Sequence, residues 1–502
     1  MKVLIVASEV YPFAKTGGLA DVTMALAKEL HNRGITVRIM MPLYSVVQER
    51  FRSQLVKTDY RLRVDRGSLQ GESNVWSIEH KGIAVDFVQS DEYFGNRAGL
   101  YTDGYGEDFT DNAQRFGYFC WAVVEAIEKL PLQPDLVHCH DWQTALLPVL
   151  MDIAREHPQL SRTASLLTIH NLGFQGLFPA RILPDLGLPE SLYQPDLLEY
   201  YGQINILKGG ILFADYLTTV SPTYAREIQD SGLGFGLEGV LQQRSSALAG
   251  ILNGIDYEEW NPQTDLLLPR MYGKSNVQRG KKANKLTLQK KYGLATVNVP
   301  VYAMVGRLTE QKGLDIFVSA LARMLDQDVQ VVILGQGEQR FQSQLEAMRR
   351  EYPERLAIQL AFSEESAHLI YGGADFLMMP SQYEPCGLSQ LIAMRYGTIP
   401  LVRKTGGLAD SVQDIALDNG EGTGIIFDDY SESALLEAFT RCQSLWQEPS
   451  RLKQARSNAM SRDHSWSRAA SEYMVAYNHA RQRRAAPTSA KNQQIVPGDG
   501  QS

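Results

Sequence analysis

Four cations stand beside glycine-rich turns: Lys15, Arg307, Lys312 and Lys404. The heptapeptide KTGGLAD occurs twice, at residues 15–21 and 404–410. Each copy follows an apolar, strand-like run and opens a helix-like run. Glycines there let the backbone turn tightly and approach a ligand, and the helix N-terminus offers free N–H groups to an anion. Read singly, each copy is equally an ordinary strand-to-helix turn. In Gly306-Arg307-Leu308, followed by Lys312-Gly313, both cations fall on the first turn after a buried strand. Arginine forks onto two oxygens and lysine supplies a point charge, so the pair suits a diphosphate. Lys404 flanks its turn.

Glu384 lies in Tyr383-Glu384-Pro385-Cys386-Gly387-Leu388, just before a helix. A carboxylate beside exposed N–H groups can accept sugar hydroxyls while the amides donate to others. The other reading is a carboxylate serving the helix dipole. Cys386 at a helix N-terminus would have a lowered pKa, as a nucleophile needs, but no paired base is visible. His138 and His140 alternate on a strand and share a face, next to Asp141. A metal would need a third ligand at suitable spacing, which is missing. His170 ends a strand and reads either as a site residue or as a satisfied core histidine. Phe362, at another strand end, reads as a base-stacking ring or a core aromatic.

The elements that must position these groups alternate regularly. Residues 3–7 form an apolar run expected for a central parallel strand, with a helix over 17–33, a stop at Gly34 and a strand over 37–41. Residues 51–110 read as an antiparallel insertion and a Gly, Asp and Tyr-rich loop. Then come a helix over 112–129, a strand over 135–139, a helix to about 157 with Asp141 as its N-cap, and a strand over 164–169. Helix 203–213, strand 216–220, a helix from Pro222 capped by Ser221, and a glycine-dense loop over 232–239 complete the first half. The second half repeats the rhythm with strands 301–305, 329–334, 357–361, 375–379 and 398–402, and helices 431–446, 450–460 and 466–482. This predicts two α/β lobes with parallel sheets and ligands bound outside the carboxyl ends of the strands. The basic run 270–291 reads as a solvated helix or loop. Residues from Arg483 lack apolar content and read as disordered.

A chain of 502 residues is too long for one core. The net charge of −8 disfavours nucleic-acid binding. Four scattered cysteines without a CxxC pair suggest neither zinc nor disulfides, and reduced thiols in cytoplasm are the default. No stretch has the ~20 apolar residues that span a bilayer, and the N-terminus reads as a buried strand rather than a signal peptide.

The motifs taken together resemble the bacterial and plant-type glycogen (starch) synthases. They are KTGGLADV at 15–22, DNAQRF at 111–116, HCHDWQ at 138–143, TIHNLGFQG at 168–176, GQINILKGG at 202–210, VSPTYAREI at 220–228, GFGLEGVL at 234–241, ILNGID at 251–256, GRLTEQKGLD at 306–315 and residues 380–412. The resemblance implies an α/β fold of two Rossmann-like domains facing across a cleft, the GT-B type of glycosyltransferase, with a C-terminal helix crossing back. The expected divisions are 1–247, 248–462, a crossover helix at 463–482 and a tail at 483–502. It implies a retaining, cytoplasmic enzyme that moves glucose from ADP-glucose to the non-reducing 4-hydroxyl of an α-1,4-glucan. Neither metal nor other cofactor, membrane nor nucleic acid is implied. The catalytic set it implies is Glu384, His170, Lys312, Arg307 and Asp141. Lys15 with the Gly17 and Gly18 amides would meet the distal phosphate and glucose. Arg307 and Lys312 would neutralise the leaving diphosphate. Glu384 and the Cys386, Gly387 and Leu388 amides would hold glucose hydroxyls. Asn253 would line the sugar site, and Thr405 and Gly407 would grip phosphate. Phe362 would lie against adenine, with Asp21 nearby. The sequence departs at Ile392, where many related transferases carry a second glutamate. Rival readings are a related transferase with another donor or acceptor, a weakly catalytic binding protein, and a cysteine-dependent hydrolase.

Overall fold

The computed structural model describes residues 1–103, 107–131, 133–361, 363–416 and 420–486. Phe362 and the tail beyond 486 lie outside the described residues. The chain forms two compact units. The first comprises residues 1–220, 225–251 and the chain from Trp466; the second comprises 221–224 and 252–465.

The first unit is built on a nine-stranded sheet. Lys2–Val6 lies at its centre, with Thr36–Pro42 on one side and Leu136–His140 on the other. Beyond Leu136–His140 come Ala164–Ile169, Tyr216–Thr219 and Leu248–Gly250, all parallel. On the other side Ile83–Val88 runs parallel, and Leu69–His80 and Val56–Arg66 add antiparallel strands. The expected insertion therefore extends this sheet. The central strands are buried along almost their whole length because helices cover both faces. One cover is the helix Trp466–Ala485, which packs on Ala164–Ile169 and Tyr216–Thr219. It continues beyond the expected end at 482. Arg484 is buried and donates to the Leu160 carbonyl at 2.6 Å, which corrects the reading of disorder from Arg483.

A small antiparallel sheet of Leu177–Pro179, Gln203–Asn205 and Glu199–Tyr200 lies outside the main one. Its two-residue turn, Tyr201-Gly202, has φ of +48° and +80°. A second turn of the same hand, Phe235-Gly236, has φ of +48° and +79° and is closed by Leu237 N–H donating to the Gly234 carbonyl at 2.8 Å. A side chain with a Cβ in this region costs about 1–2 kcal/mol.

The second unit is a six-stranded, wholly parallel sheet. In order across the sheet the strands are Leu356–Gln359, Gln330–Leu334, Val301–Val305, Phe376–Met379, Ile399–Arg403 and Ile425–Phe427. This is a doubly wound order, and it reverses direction between Val301–Val305 and Phe376–Met379. One sheet face is packed around Tyr302, Phe376 and Ile399, the other around Ala303, Leu377 and Val402.

The basic run corrects its sequence reading. Val277–Lys291 is a helix in which Lys281 and Lys285 are buried. The Lys281 ammonium donates to the Tyr371 carbonyl at 3.1 Å, the Tyr396 carbonyl at 3.3 Å and the Thr398 hydroxyl at 2.6 Å. Lys285 and Arg456 both pair with the buried Asp375, at 2.6 and 2.7 Å. Buried cations persist only with such partners.

Candidate active site

In each unit several of the candidate residues follow the two strands that flank the reversal in strand order, where doubly wound sheets bind ligands; His170, Asn253 and Thr405 follow other strands of the two sheets. In the second unit the flanking strands are Val301–Val305, leading to Arg307 and Lys312, and Phe376–Met379, leading to Glu384. The buried Glu384 carboxylate meets the Lys312 ammonium at 2.5 Å and accepts from the Ser381 hydroxyl at 3.1 Å. It caps no helix: Ser389–Arg395 has Leu388 at its N-cap and no side-chain cap. Lys312 reaches this position because Gly313 follows with φ +76°. A Cβ there would lie 2.1 Å from the Pro380 carbonyl oxygen, so the spacing of the Arg-Lys-Gly motif is fixed by contact with the strand before Glu384. Arg307 donates to the Gln311 side chain at 3.2 Å.

The amides of Cys386, Gly387 and Leu388 make no hydrogen bond among the described residues. They are available to a ligand. Asn253 contacts the Cys386 sulfur, and its own Oδ1 is buried without a partner among the described residues. The thiol corrects the nucleophile reading. Cys386 is buried, and burial pushes its pKa up to about 12, against the smaller opposing effect of Asn253. A protonated thiol three residues before the helix gains nothing from the dipole.

Gly407 also has a different task from the one expected. Its N–H donates to the Glu384 and Pro385 carbonyls at 3.1 and 3.2 Å, and a Cβ would lie 2.0 Å from the Cys386 carbonyl oxygen. The second KTGGLAD turn therefore supports the Glu384 loop from behind. Thr405 is the buried N-cap of that turn's helix, and its N–H donates to the Arg403 carbonyl at 3.0 Å. Lys404 faces solvent beside Asp428 at 3.2 Å. Asp410, the last residue of this copy, accepts from the Thr223 N–H and hydroxyl, both at 2.7 Å.

In the first unit, Lys2–Val6 leads to the first KTGGLAD and Leu136–His140 leads to Asp141. Lys15 pairs with Asp21 at 2.7 Å. The Gly17 N–H expected to meet the donor donates at 3.1 Å to the buried Glu9 carboxylate, which also accepts from the Thr16 N–H and hydroxyl and from the Tyr101 hydroxyl. Gly18, the first residue of the helix Gly18–Asn32, keeps its N–H open among the described residues. Sequence reasoning missed Glu9 and Tyr101. The signal present was a single acid interrupting an apolar run.

The histidines form a stack. His138 Nε2 bonds Thr168 Oγ1 at 2.6 Å, its Nδ1 bonds the Tyr477 hydroxyl at 2.9 Å, and His140 Nδ1 meets His170 Nε2 at 2.9 Å. Burial holds all three pKa values well below the usual range, that of His170 at about 3, so the rings are neutral. Among the described residues no group of His, Cys, Asp or Glu is arranged to hold a metal ion, and no helix is long and apolar enough to cross a membrane.

Asp141 does not cap its own helix. It is the first residue of Asp141–Ile153, with φ +55°, and its carboxylate accepts from the His170 N–H at 2.7 Å and from the Asn171 N–H. Thr144 serves the helix start, accepting from the His140 N–H at 2.6 Å. Burial raises the Asp141 pKa to about 7, with the two amides opposing and Glu9 adding to the rise. The native state thus binds a proton that the unfolded chain releases near pH 4. That stability is full below pH 4 and is lost as pH rises to 7. Tm measured from pH 4 to 8 should fall more steeply for the wild type than for Asp141→Asn, whose neutral side chain does not titrate. Parallel curves would refute the raised pKa.

Residues 2–243 match the family model of the starch synthase catalytic domain, and residues 288–459 match that of glycosyl transferases group 1. Glycogen synthase 2 of Geobacter sulfurreducens is 43% identical over 491 residues, covering 96% of this chain and 99% of that protein. A glycogen synthase of Syntrophotalea carbinolica is 44% identical over 482 residues, with the same coverage of 96% and 99%. The solved catalytic domain of starch synthase IV from Arabidopsis thaliana, bound to ADP and acarbose, superposes with a TM-score of 0.88 at 33% identity, covering 96% of this chain and 99% of that one. Full-length identity above 40% and two matched domains lead to one assignment: the chain belongs to the glycogen and starch synthase family, hexosyltransferases of the GT-B fold that transfer glucose in glycogen and starch synthesis.

Proposed function

We propose that the enzyme moves glucose from ADP-glucose to the non-reducing 4-hydroxyl of an α-1,4-glucan, glycogen or a maltooligosaccharide, with retention and without a metal ion. The bond from the anomeric carbon to the β-phosphate oxygen breaks, the acceptor 4-hydroxyl oxygen bonds the same carbon, its proton passes to the departing diphosphate oxygen, and ADP leaves. The observation that carries this reading is the Lys312–Glu384 contact at 2.5 Å beside three open amides. A carboxylate and adjacent N–H groups suit sugar hydroxyls, and the neighbouring cations suit a diphosphate. Arg307 and Lys312 would stabilise charge as it develops on the leaving group, the task a metal serves elsewhere. The buried, open Oδ1 of Asn253 is a further acceptor for a hydroxyl. In the first unit, Lys15, the Gly18 amide, His170 as a neutral imidazole and Asp141 would meet the sugar and phosphate. The relative solved with ADP supports adenine as the base.

The test is incorporation of labelled glucose into glycogen from ADP-glucose against UDP-glucose, with and without EDTA. Strong, EDTA-insensitive incorporation from ADP-glucose is expected. Preference for UDP-glucose would overturn the donor, and loss with EDTA would overturn the metal-free reading.

A further inference from the structure

We propose that Tyr201 and Phe235, on the first unit, form a stacking platform for an α-glucan chain. The proposal rests on the glucan reading above and gives it a surface. Each residue is the first central position of a turn whose two central residues both have positive φ. Such turns favour Asn, Asp or Gly there, because the left-handed region crowds a Cβ. An aromatic ring in that position is disfavoured locally and adds little to the core when it points outward: Tyr201 is 83% exposed and Phe235 is 39% exposed. Backbone strain of this kind persists where function holds it.

The two turns are tied together. The Tyr200 ring meets that of Tyr201 edge-on at 4.7 Å, and the Tyr200 hydroxyl donates to the Phe235 carbonyl at 2.7 Å. Gln175 donates to the same carbonyl at 3.1 Å. Gln175 lies in the loop that begins at His170, so the Phe235 turn is tied to the segment that starts at this candidate residue. The same loop carries Phe174, 52% exposed, and leads to Leu177, 42% exposed. Rings of this kind with polar groups at their edge suit a pyranose, which presents C–H bonds on its faces and hydroxyls at its rim. Successive units of an α-1,4-glucan repeat that surface along a chain. The net charge of −8 disfavours a polyphosphate occupant.

The test compares the full-length wild type with Tyr201→Asn, Phe235→Asn and the double variant. Asparagine tolerates the left-handed region, so Tm should be equal to or above that of the wild type. Calorimetry with maltoheptaose should show affinity weakened about threefold by each substitution and about tenfold or more by both, with ADP affinity within twofold. Tyr201→Phe should retain wild-type maltoheptaose affinity. Unchanged maltoheptaose affinity in the double variant, equal loss of ADP affinity, or a wild type that does not bind maltoheptaose would each overturn the platform. A wild type that binds maltoheptaose through these rings yet transfers no glucose from ADP-glucose would support the platform and overturn the donor reading.

Discussion

Replacing Glu384 by alanine should lower glucose incorporation by about 100- to 1000-fold, the range found when one preorganised polar group is removed from a site. The carboxylate is buried and held from two sides, by Lys312 at 2.5 Å and Ser381 at 3.1 Å. It is therefore oriented before substrate arrives, so little reorganisation is needed in the reaction. Its removal also releases Lys312, which is only one-fifth exposed, from the position the pair gives it. Glu384→Gln separates charge from shape. It keeps the side-chain volume and an acceptor for Ser381 but loses the ionic contact. The same loss of kcat is expected, with Tm within a few degrees of the wild type. Steady-state incorporation and thermal unfolding check both parts. More than a tenth of wild-type turnover in the glutamine variant would refute the role. Cys386→Ser should retain transfer, because a thiol with a pKa near 12 is no nucleophile at neutral pH.

Truncation after Ser465 should abolish the folded first unit. The helix Trp466–Ala485 buries Trp466, Tyr473 and Tyr477, together with Ala469, Ala470, Ala476 and Ala480. Burial of one large side chain contributes about 1.5–3 kcal/mol, so three rings alone approach the ~5–15 kcal/mol of a whole domain. Small alanines let the helix approach the sheet closely, so side chains elsewhere cannot refill the gap. The loss also strips His138 Nδ1 of the Tyr477 hydroxyl. The truncated chain should be insoluble, or should lose the cooperative unfolding transition of the first unit in calorimetry. A soluble product with both transitions within about 5 °C of the full chain would contradict this. Tyr477→Phe isolates the hydrogen bond and should cost about 1–3 kcal/mol.

The alternation of strands and helices was legible because buried parallel strands are short apolar runs bounded by turns. The helix Asn112–Lys129 and the strand Ala164–Ile169 fall where periodicity puts them. Arg307, Lys312 and Glu384 were legible as candidates because their motifs follow buried strands; that Val301–Val305 and Phe376–Met379 are neighbours in the sheet, although two strands separate them in the chain, was not. What periodicity does not carry is the partner of a polar side chain. Lys281 and Lys285 look solvated in a basic run, yet carbonyls and Asp375 far along the chain receive them. Asp141 has the residue type and position of a cap, but its carboxylate turns to the 170–171 amides. The Gly17 and Gly407 amides look open in sequence, whereas Glu9 occupies one and the Glu384 loop the other. Cys386 shows how burial outweighs a nearby helix end.

The first unit is interrupted: the chain leaves it at Ile251 and returns at Trp466. During synthesis, its last helix emerges only after the entire second unit has been made. At ~5–20 residues per second that interval is on the order of ten to forty seconds. Through that time the second unit has all of its strands and can fold, while the first lacks the helix over Ala164–Ile169 and Tyr216–Thr219. The apolar strip that Tyr473 and Tyr477 later cover is then open to other nascent chains. The N-terminal half, although made first, is completed last.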